Sequence, residues 1–349
     1  MLVTGVARYL GAHLAARLAD DPRIERVIGV DATAPAGDIA GVLGGVDVHQ
    51  VDLRTPGVLR VMRDAGVEAV AHLAVATAGD QHAGRSALKE LNVIGTLQLL
   101  AAAQQATSVG KVVVRSSTAA YGASFRDPAI FTEDTEPREM PRGGFAKDIL
   151  DIEGYVRGFR RRRPDVGATV LRFAPFLGSR ASTRLTRYLS QPVVPTVLGR
   201  DPRLQFVHID DAFEVLHRSV VEDHPGTFNV AGHGTLTLSQ ALRRAGRLGL
   251  PIVEPGLSAL AGLSRGKVEF SLDQLDLFVH GRVVDTTRLV REFGFEPRST
   301  AAAFDDFLSA QRGRPLFRPD ALRAVEHAIL ESIRQVRAAR SALEGKPRD

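Results

Sequence analysis

Eight residues near the start, TGVARYLG (Thr4–Gly11), put a glycine turn between a short strand-like run and an apolar helical pattern. Such a turn lets backbone N–H groups and the positive end of the helix hold a pyrophosphate. Gly5 suits the tight turn and Gly11 suits close packing of helix on strand. Arg8 takes the middle position, where a side chain obstructs the closest backbone approach to phosphate. The loop alone is a weak signal, and three strand ends strengthen it. Asp31 closes the second run, 20 residues after Gly11, where a carboxylate accepts hydrogen bonds from adenosine ribose hydroxyls. Asp52 and Leu53 close the third, placed for the edge and face of an adenine. HLAV (His72–Val75) closes the fourth, with Leu73, Ala74 and Val75 leaving room for a cofactor to lie against the sheet.

These residues need a particular scaffold. The runs Leu2–Thr4, RVIGVD, VDVHQVD, EAVAHLAV, KVVVRSS and ATVLRF alternate with LGAHLAARLA, PGVLRVMRDAG, SALKELNVIGTLQLLAAAQQA and AKDILDIEGYVRGFRRR, whose apolar residues recur at helical spacing. Strands alternating with helices predict an α/β doubly wound parallel sheet, a Rossmann domain over residues 1–172, with ligand at the carboxyl ends of the strands. After Phe173 the pattern loosens into LQFVHIDDAFEVLHRSV and GTFNVAGHGTLTLSQALRRAG, read as a smaller substrate-side domain over 173–312. Residues 313–349 read as an appended helical tail. Val325, Ile329, Ile333 and Val336 form its apolar stripe, flanked by Arg334, Arg337 and Arg340. That stripe suits docking on its own subunit or a dimer mate, with peripheral membrane contact as the alternative. The first strand is short for an interior one, which suggests a natural start a few residues upstream.

Composition narrows the function. The 349 residues contain no cysteine, so disulfides, thiolate metal sites and a cysteine nucleophile are excluded. No 18-residue apolar run and no signal peptide are visible, so a soluble cytoplasmic protein is expected. The net charge of +5 is spread along the chain, which argues against nucleic acid as a partner. The dense run RGFRRRRPD ends a predicted helix, where arginines meet exposed carbonyls and the negative end of the macrodipole. His72, His82, His208, His217, His224, His233 and His280 show no metal-ligand spacing, so no metal site is assigned.

TGxxxxxG, the strand-ending Asp31, DL, HLA, NVIGT (Asn92–Thr96), SSTAAYG (Ser116–Gly122), FVHIDD and TFNVAG occur in an order that resembles the extended short-chain dehydrogenase/reductase superfamily, the NAD-dependent epimerase/dehydratase branch. The resemblance spans roughly residues 1–310. It implies a bound NAD, with NADP the alternative, and a small-molecule substrate such as a sugar derivative. It also implies a homodimer formed through helices around 91–106 and 147–162. The implied cofactor contacts are Gly5, Arg8, Tyr9, Leu10, Gly11 and Asp31 at the adenosine and pyrophosphate end, then Asp52, Leu53, Leu73, Ala74 and Val75. Asn92, Ser116, Lys147, Phe173, Ala174 and Pro175 complete the set. Arg8 suits the 2′-phosphate of NADP and Asp31 repels it, and the carboxylate in the ribose position decides for NAD.

The same resemblance implies a hydroxyl that polarises the reacting oxygen, a tyrosinate base and a lysine that lowers the tyrosine pKa. Ser117 matches the hydroxyl and Lys147 the lysine of a YxxxK pair, but the tyrosine position is Gly143. Tyr9, Tyr121, Tyr155 and Tyr188 are the only tyrosines. Lys147 itself, a carboxylate such as Asp148, or water are the replacements considered. The substrate motifs depart too. Pro175 stands where the family's epimerases place an asparagine near the substrate diphosphate, and Leu204 where they place an arginine. Two classes of function follow: an atypical epimerase or oxidoreductase using Ser117, and a catalytically silent NAD(P)-binding sensor or scaffold.

Overall fold

Seven parallel strands form the central sheet of the computed structural model, which describes residues 1–76, 84–141, 144–253, 272–311 and Glu331. Six are the predicted runs: β1 (Leu2–Thr4), β2 (Ile28–Asp31), β3 (Asp47–Gln50), β4 (Ala69–His72), β5 (Lys111–Ser117) and β6 (Gly167–Phe173). Between them run α1 (Tyr9–Ala19), α2 (Asp38–Val42), α3 (Gly57–Asp64), α4 (Arg85–Lys89), α5 (Gly95–Gln105) and α6 (Gly144–Arg162). Sheet order places β1 between β2 and β4, with β3 beyond β2 and β5, β6 beyond β4. The chain therefore winds outward both ways from β1, and the carboxyl ends of β1 and β4 flank a switch-point crevice. Thr4, Asp31, His72 and Ser117 are all last residues of their strands, so one edge gathers them. Strands buried on both faces explain the Leu, Val and Ala residues of β1, β4 and β5.

Two predicted elements differ in detail. The helix read over Ser86–Ala106 is broken by a π-helical turn, Glu90–Ile94, between α4 and α5. The division at residue 172 is also not a clean one. After β7 (Phe176–Leu177), α7 (Arg184–Leu189), β8 (Val193–Val197), β9 (Arg203–Leu204) and β10 (Val207–His208), the chain returns to the first layers. There α8 (Ile209–Val221) packs beside α1, and β11 (Gly226–Val230) pairs with β6 as the seventh strand. Buried Phe228 and Val230 make β11 an interior-facing strand, and burial of Phe213 and Leu216 seats α8 in the core around α1. What remains separate is a second core around Leu177, Tyr188, Leu204, Phe206 and Phe304.

The arginine run at the end of α6 is structural. Arg160 donates to the carbonyls of Ala168 and Gly226, and Arg163 to those of Ala103, Gln104 and Val109. Arg163, the residue that follows α6, thereby caps the carboxyl end of α5, whose final carbonyls have no partner within that helix. Gly143 and the tail from residue 313 lie outside the described residues, apart from Glu331. Among the described residues no helix is long and apolar enough to cross a membrane.

Candidate active site

The glycine turn has the geometry its spacing predicts. Gly5 adopts φ +82°, and a Cβ there would come within 3.0 Å of the Ala74 backbone. At Gly11 a Cβ would lie 2.1 Å from the Gly5 carbonyl oxygen, so α1 packs against the turn only because that atom is missing. Arg8 is the extended N-cap of α1 and gives no side-chain cap, which leaves the first-turn N–H groups of the helix open at the crevice. Asp31 Oδ2 accepts from Ala7 N at 3.1 Å, and Oδ1 accepts from Thr33 N and Oγ1. The carboxylate thus holds the turn as well as facing the crevice.

A cavity of about 220 Å³ opens here, lined by Arg8, Asp31, Thr33, Leu53, Arg54, Ala74 and Leu91 among others. Arg8 is one of the lining residues, and its Nη1 is buried with no hydrogen-bond partner. A buried guanidinium N–H without an acceptor costs about 1–3 kcal/mol or more, and an anionic ligand would supply the acceptor. The orphaned Nη1, the glycine cradle and the uncapped helix fit the pyrophosphate of a dinucleotide. Asp31 beside them fits a ribose diol.

Other residues singled out in the sequence turn elsewhere. The Asp52 carboxylate is bound by Arg54 through Nε and Nη2, and those bonds hold it below the usual carboxylate range. Arg54, not Asp52, joins Leu53 in the cavity wall. Sequence reasoning stopped at the strand end and passed over this basic residue two positions on. Tyr9 lays its ring 4.0 Å from His13 and 6.0 Å from Phe213, with Leu10 packed beside it on the same core. Leu73 and Val75 are buried, and the Val75 carbonyl accepts from Arg115. Phe173 and Ala174 are buried in the β6 exit, and Pro175 is half-exposed.

His72 ties the crevice floor together. Thr96 Oγ1 donates to the Asn92 carbonyl, so it accepts from His72 Nε2 at 2.8 Å. His72 Nδ1 then accepts from Thr4 Oγ1, which in turn accepts from the backbone N–H groups of Leu73 and Ala74. Every polar atom is satisfied with a neutral ring. Burial, reinforced by the charges of Arg115 and Arg8, pushes His72 down to about 3. The unfolded chain therefore binds a proton between about pH 6.5 and 3 that the folded chain refuses. Stability should be full above pH 6.5 and fall as pH drops through that window, by up to about 1.4 kcal/mol per pH unit from this group. Urea unfolding of wild type and His72→Gln between pH 7 and 4.5 checks it: the variant should show the shallower slope, and equal slopes would remove His72 from the account.

At the other end of the crevice, Ser117 is half-buried at the tip of β5, its Oγ accepting from Ala119 N at 3.2 Å. Its neighbour Ser116 is buried and donates to Glu153 Oε1 at 2.5 Å, so it faces α6 rather than the crevice. Glu153 is also clamped by Arg172 through Nε and Nη2. Phe145 and Ile149 sit two turns and one turn before Glu153 on the same stripe of α6. Because α6 runs antiparallel to β5, they lie at the carboxyl edge of the sheet. Lys147 is not on that stripe. It is exposed, as is Asp151 one turn further on. The YxxxK spacing fixes distance along the helix, whereas the apolar positions Ile149, Ile152, Val156 and Phe159 fix which face turns inward, and they turn Lys147 outward.

The alternatives to a tyrosine at Gly143 are likewise committed. Tyr121 is buried, donates to Asn229 Oδ1 at 2.7 Å and stacks on Phe131, and burial pushes its phenol up. Tyr188 is buried, donates to the Pro195 carbonyl and is also pushed up by burial. Tyr155 packs from α6 against the core. Asp148 is 1% exposed, with both oxygens bound by Arg85 at 2.6 and 2.8 Å and one also by Asn92 Nδ2 at 3.0 Å. Asn92 spends its other polar contacts on Ala76 N and O. Leu204 is fully buried, and exposed Arg203 donates to the Ala129 carbonyl.

Comparison with known proteins agrees with this architecture. Residues 1–231 match the model of the NAD dependent epimerase/dehydratase family. An uncharacterized protein of Mycobacterium tuberculosis is 45% identical over 329 residues, 93% of this chain and 88% of that protein. A probable UDP-arabinose 4-epimerase of Oryza sativa subsp. japonica is 27% identical over 203 residues, 53% of this chain and 46% of that protein. Among solved structures, the UDP-glucose 4-epimerase of Thermotoga maritima with UDP-glucose superposes with TM-score 0.68 at 20% identity, covering 89% of this chain and 98% of that one. The UDP-glucuronic acid 4-epimerase of Bacillus cereus in complex with NAD gives 0.65 at 17%, covering 93% and 98%. At these identities the superpositions establish the shared fold, and the family match establishes the lineage. The chain belongs to the NAD dependent epimerase/dehydratase family.

Proposed function

We propose that this protein binds NAD(H) at the β1–β4 crevice and acts on the hydroxyl or carbonyl carbon of a small molecule, a sugar derivative or a relative of one. The observation that carries the reading is one cavity lined by both Asp31 and Arg8, whose Nη1 is buried without a partner. Bound there, the cofactor supplies hydride acceptance and donation. Arg8 and the open end of α1 would hold its pyrophosphate, and Asp31 its adenosine ribose. NAD is favoured over NADP because a ribose 2′-phosphate would meet the Asp31 carboxylate. Ser117 Oγ is the hydroxyl available to polarise a reacting oxygen. The proton would come from water, since Asp148 is paired and Lys147 faces outward.

The engaged hydroxyls of Tyr121 and Tyr188 and the paired Asp148 favour a second reading, a catalytically silent NAD(P)-binding sensor or scaffold. Self-association through α5 and α6, and a cytoplasmic location, fit either one. Titrations following nicotinamide fluorescence in wild type and Asp31→Ala test the common part. Asp31→Ala should weaken NADH and narrow the gap to NADPH, and unchanged affinities would remove Asp31 from the site. Interconversion of UDP-glucose and UDP-galactose should run about 10²–10⁴-fold below the rate expected with a positioned general base. Ordinary epimerase rates would overturn the assignment of the site.

A further inference from the structure

The cavity beside the glycine turn has flat cations in its wall and no flat ring. Among the described residues that line it, none is aromatic, and Leu53, Ala74, Ala87 and Leu91 give it an aliphatic side. Its guanidinium groups are those of Arg8 and Arg54. Arg8 belongs to the glycine turn, so Arg54, next to Leu53 just past β3, is the planar group away from the pyrophosphate.

Arg54 is held by its edge. Its Nε donates to Asp52 Oδ1 at 3.0 Å, its Nη2 to Asp52 Oδ2 at 2.6 Å, and its Nη1 to Glu90 Oε2 at 3.4 Å. A guanidinium donates within its own plane, so carboxylates on two sides fix that plane and leave its faces to offer a ligand. Glu90 and Leu91 both belong to the π-helical turn that interrupts the helix predicted over Ser86–Ala106. That turn therefore gives Arg54 its second carboxylate and the cavity part of its aliphatic side, the kind of local service for which such turns are kept. Asp52 meanwhile has both oxygens on Arg54, which leaves it poorly placed to serve the edge of a base.

We infer that Arg54 is the residue that receives the adenine ring: its guanidinium face, held in place by Asp52 and Glu90, stacks on the base. A cation on an aromatic face attracts it through the ring quadrupole, and the flat guanidinium adds stacking contact that an ammonium lacks. The adenine is thus recognised by its face, and Asp52 acts through Arg54 rather than on the ligand. This rests on the proposed function for the identity of the ligand.

The test titrates the full-length protein with NADH by nicotinamide fluorescence and with ADP, which keeps the adenosine and pyrophosphate but has no nicotinamide, by calorimetry. Arg54→Ala should weaken both ligands about 5- to 30-fold, the range for a desolvated cation on an aromatic face. Its melting temperature should match wild type, because the Arg54 side chain is 41% exposed and exposed ion pairs contribute little. Arg54→Lys keeps the charge without the plane and should bind nearly as weakly as the alanine variant. Asp52→Asn should weaken NADH in the wild-type background and add nothing to Arg54→Ala, since it acts only through the guanidinium. Wild-type affinity in Arg54→Ala or Arg54→Lys, or an equal loss from Asp52→Asn in both backgrounds, would overturn the inference while leaving the cofactor reading intact. Binding of ADP that depends on Arg54, without binding of NADH, contradicts only the cofactor reading. A wild type that takes neither ligand overturns both.

Discussion

Arg8→Ala should weaken NADH binding by about ten- to a hundredfold while leaving the ligand-free protein as stable as wild type or more so. The two effects have one cause. In the free protein Arg8 Nη1 is buried without an acceptor, which costs stability. A pyrophosphate would turn it into a charge-assisted hydrogen bond worth about 1.5–3 kcal/mol, or roughly 10- to 150-fold in affinity. Arg8→Gly sharpens the test, because it restores the small residue that lets a backbone approach phosphate closely. If the guanidinium provides the contact, the glycine variant also binds weakly. Tighter NADH binding by Arg8→Gly would mean that the arginine obstructs the loop. Calorimetric titration and thermal melts of the three proteins read both quantities.

Glu153→Ala should be the most destabilising of these substitutions. The Glu153 and Arg172 side chains are 4% and 11% exposed, and removing one partner of such a pair costs about 3–5 kcal/mol because the other charge stays buried. The loss spreads, because Glu153 also accepts from Ser116, and Arg172 donates to Tyr121 Oη and the Glu133 carbonyl. Glu153→Gln keeps the shape and part of the bonding, so it should lose less. Urea unfolding at pH 7 measures both, and an alanine variant within about 1 kcal/mol of wild type would show that the pair is not what fixes α6 to β5 and β6.

The alternation of β-branched runs with helical patterns carried the sheet, its parallel order and the edge where the site lies. Boundaries of β1, β5 and α1 were legible to within a residue because each is punctuated by glycine or by a polar strand end. The return of α8 and β11 to the first layers was not, since strand pairing across a long insertion leaves no local pattern. Of the residues singled out by type for a cofactor, Arg8, Asp31, Leu53 and Ala74 line one cavity. At the reaction end a motif spacing was followed where helical phase decides. Ile149, Ile152, Val156 and Phe159 in the sequence already turn Lys147 away from β5. The partner of Asp148 is a tertiary fact, whereas that of Asp52 is local. Arg54 is near in sequence, but Arg85 lies 63 residues from Asp148.

Titration of the purified wild-type protein with NADH, followed by nicotinamide fluorescence, tests the central claim most directly. The account expects saturable binding of one NADH per chain, competed by NAD and tighter than NADPH. No saturable change up to millimolar NADH, or binding of NADPH alone, would contradict it.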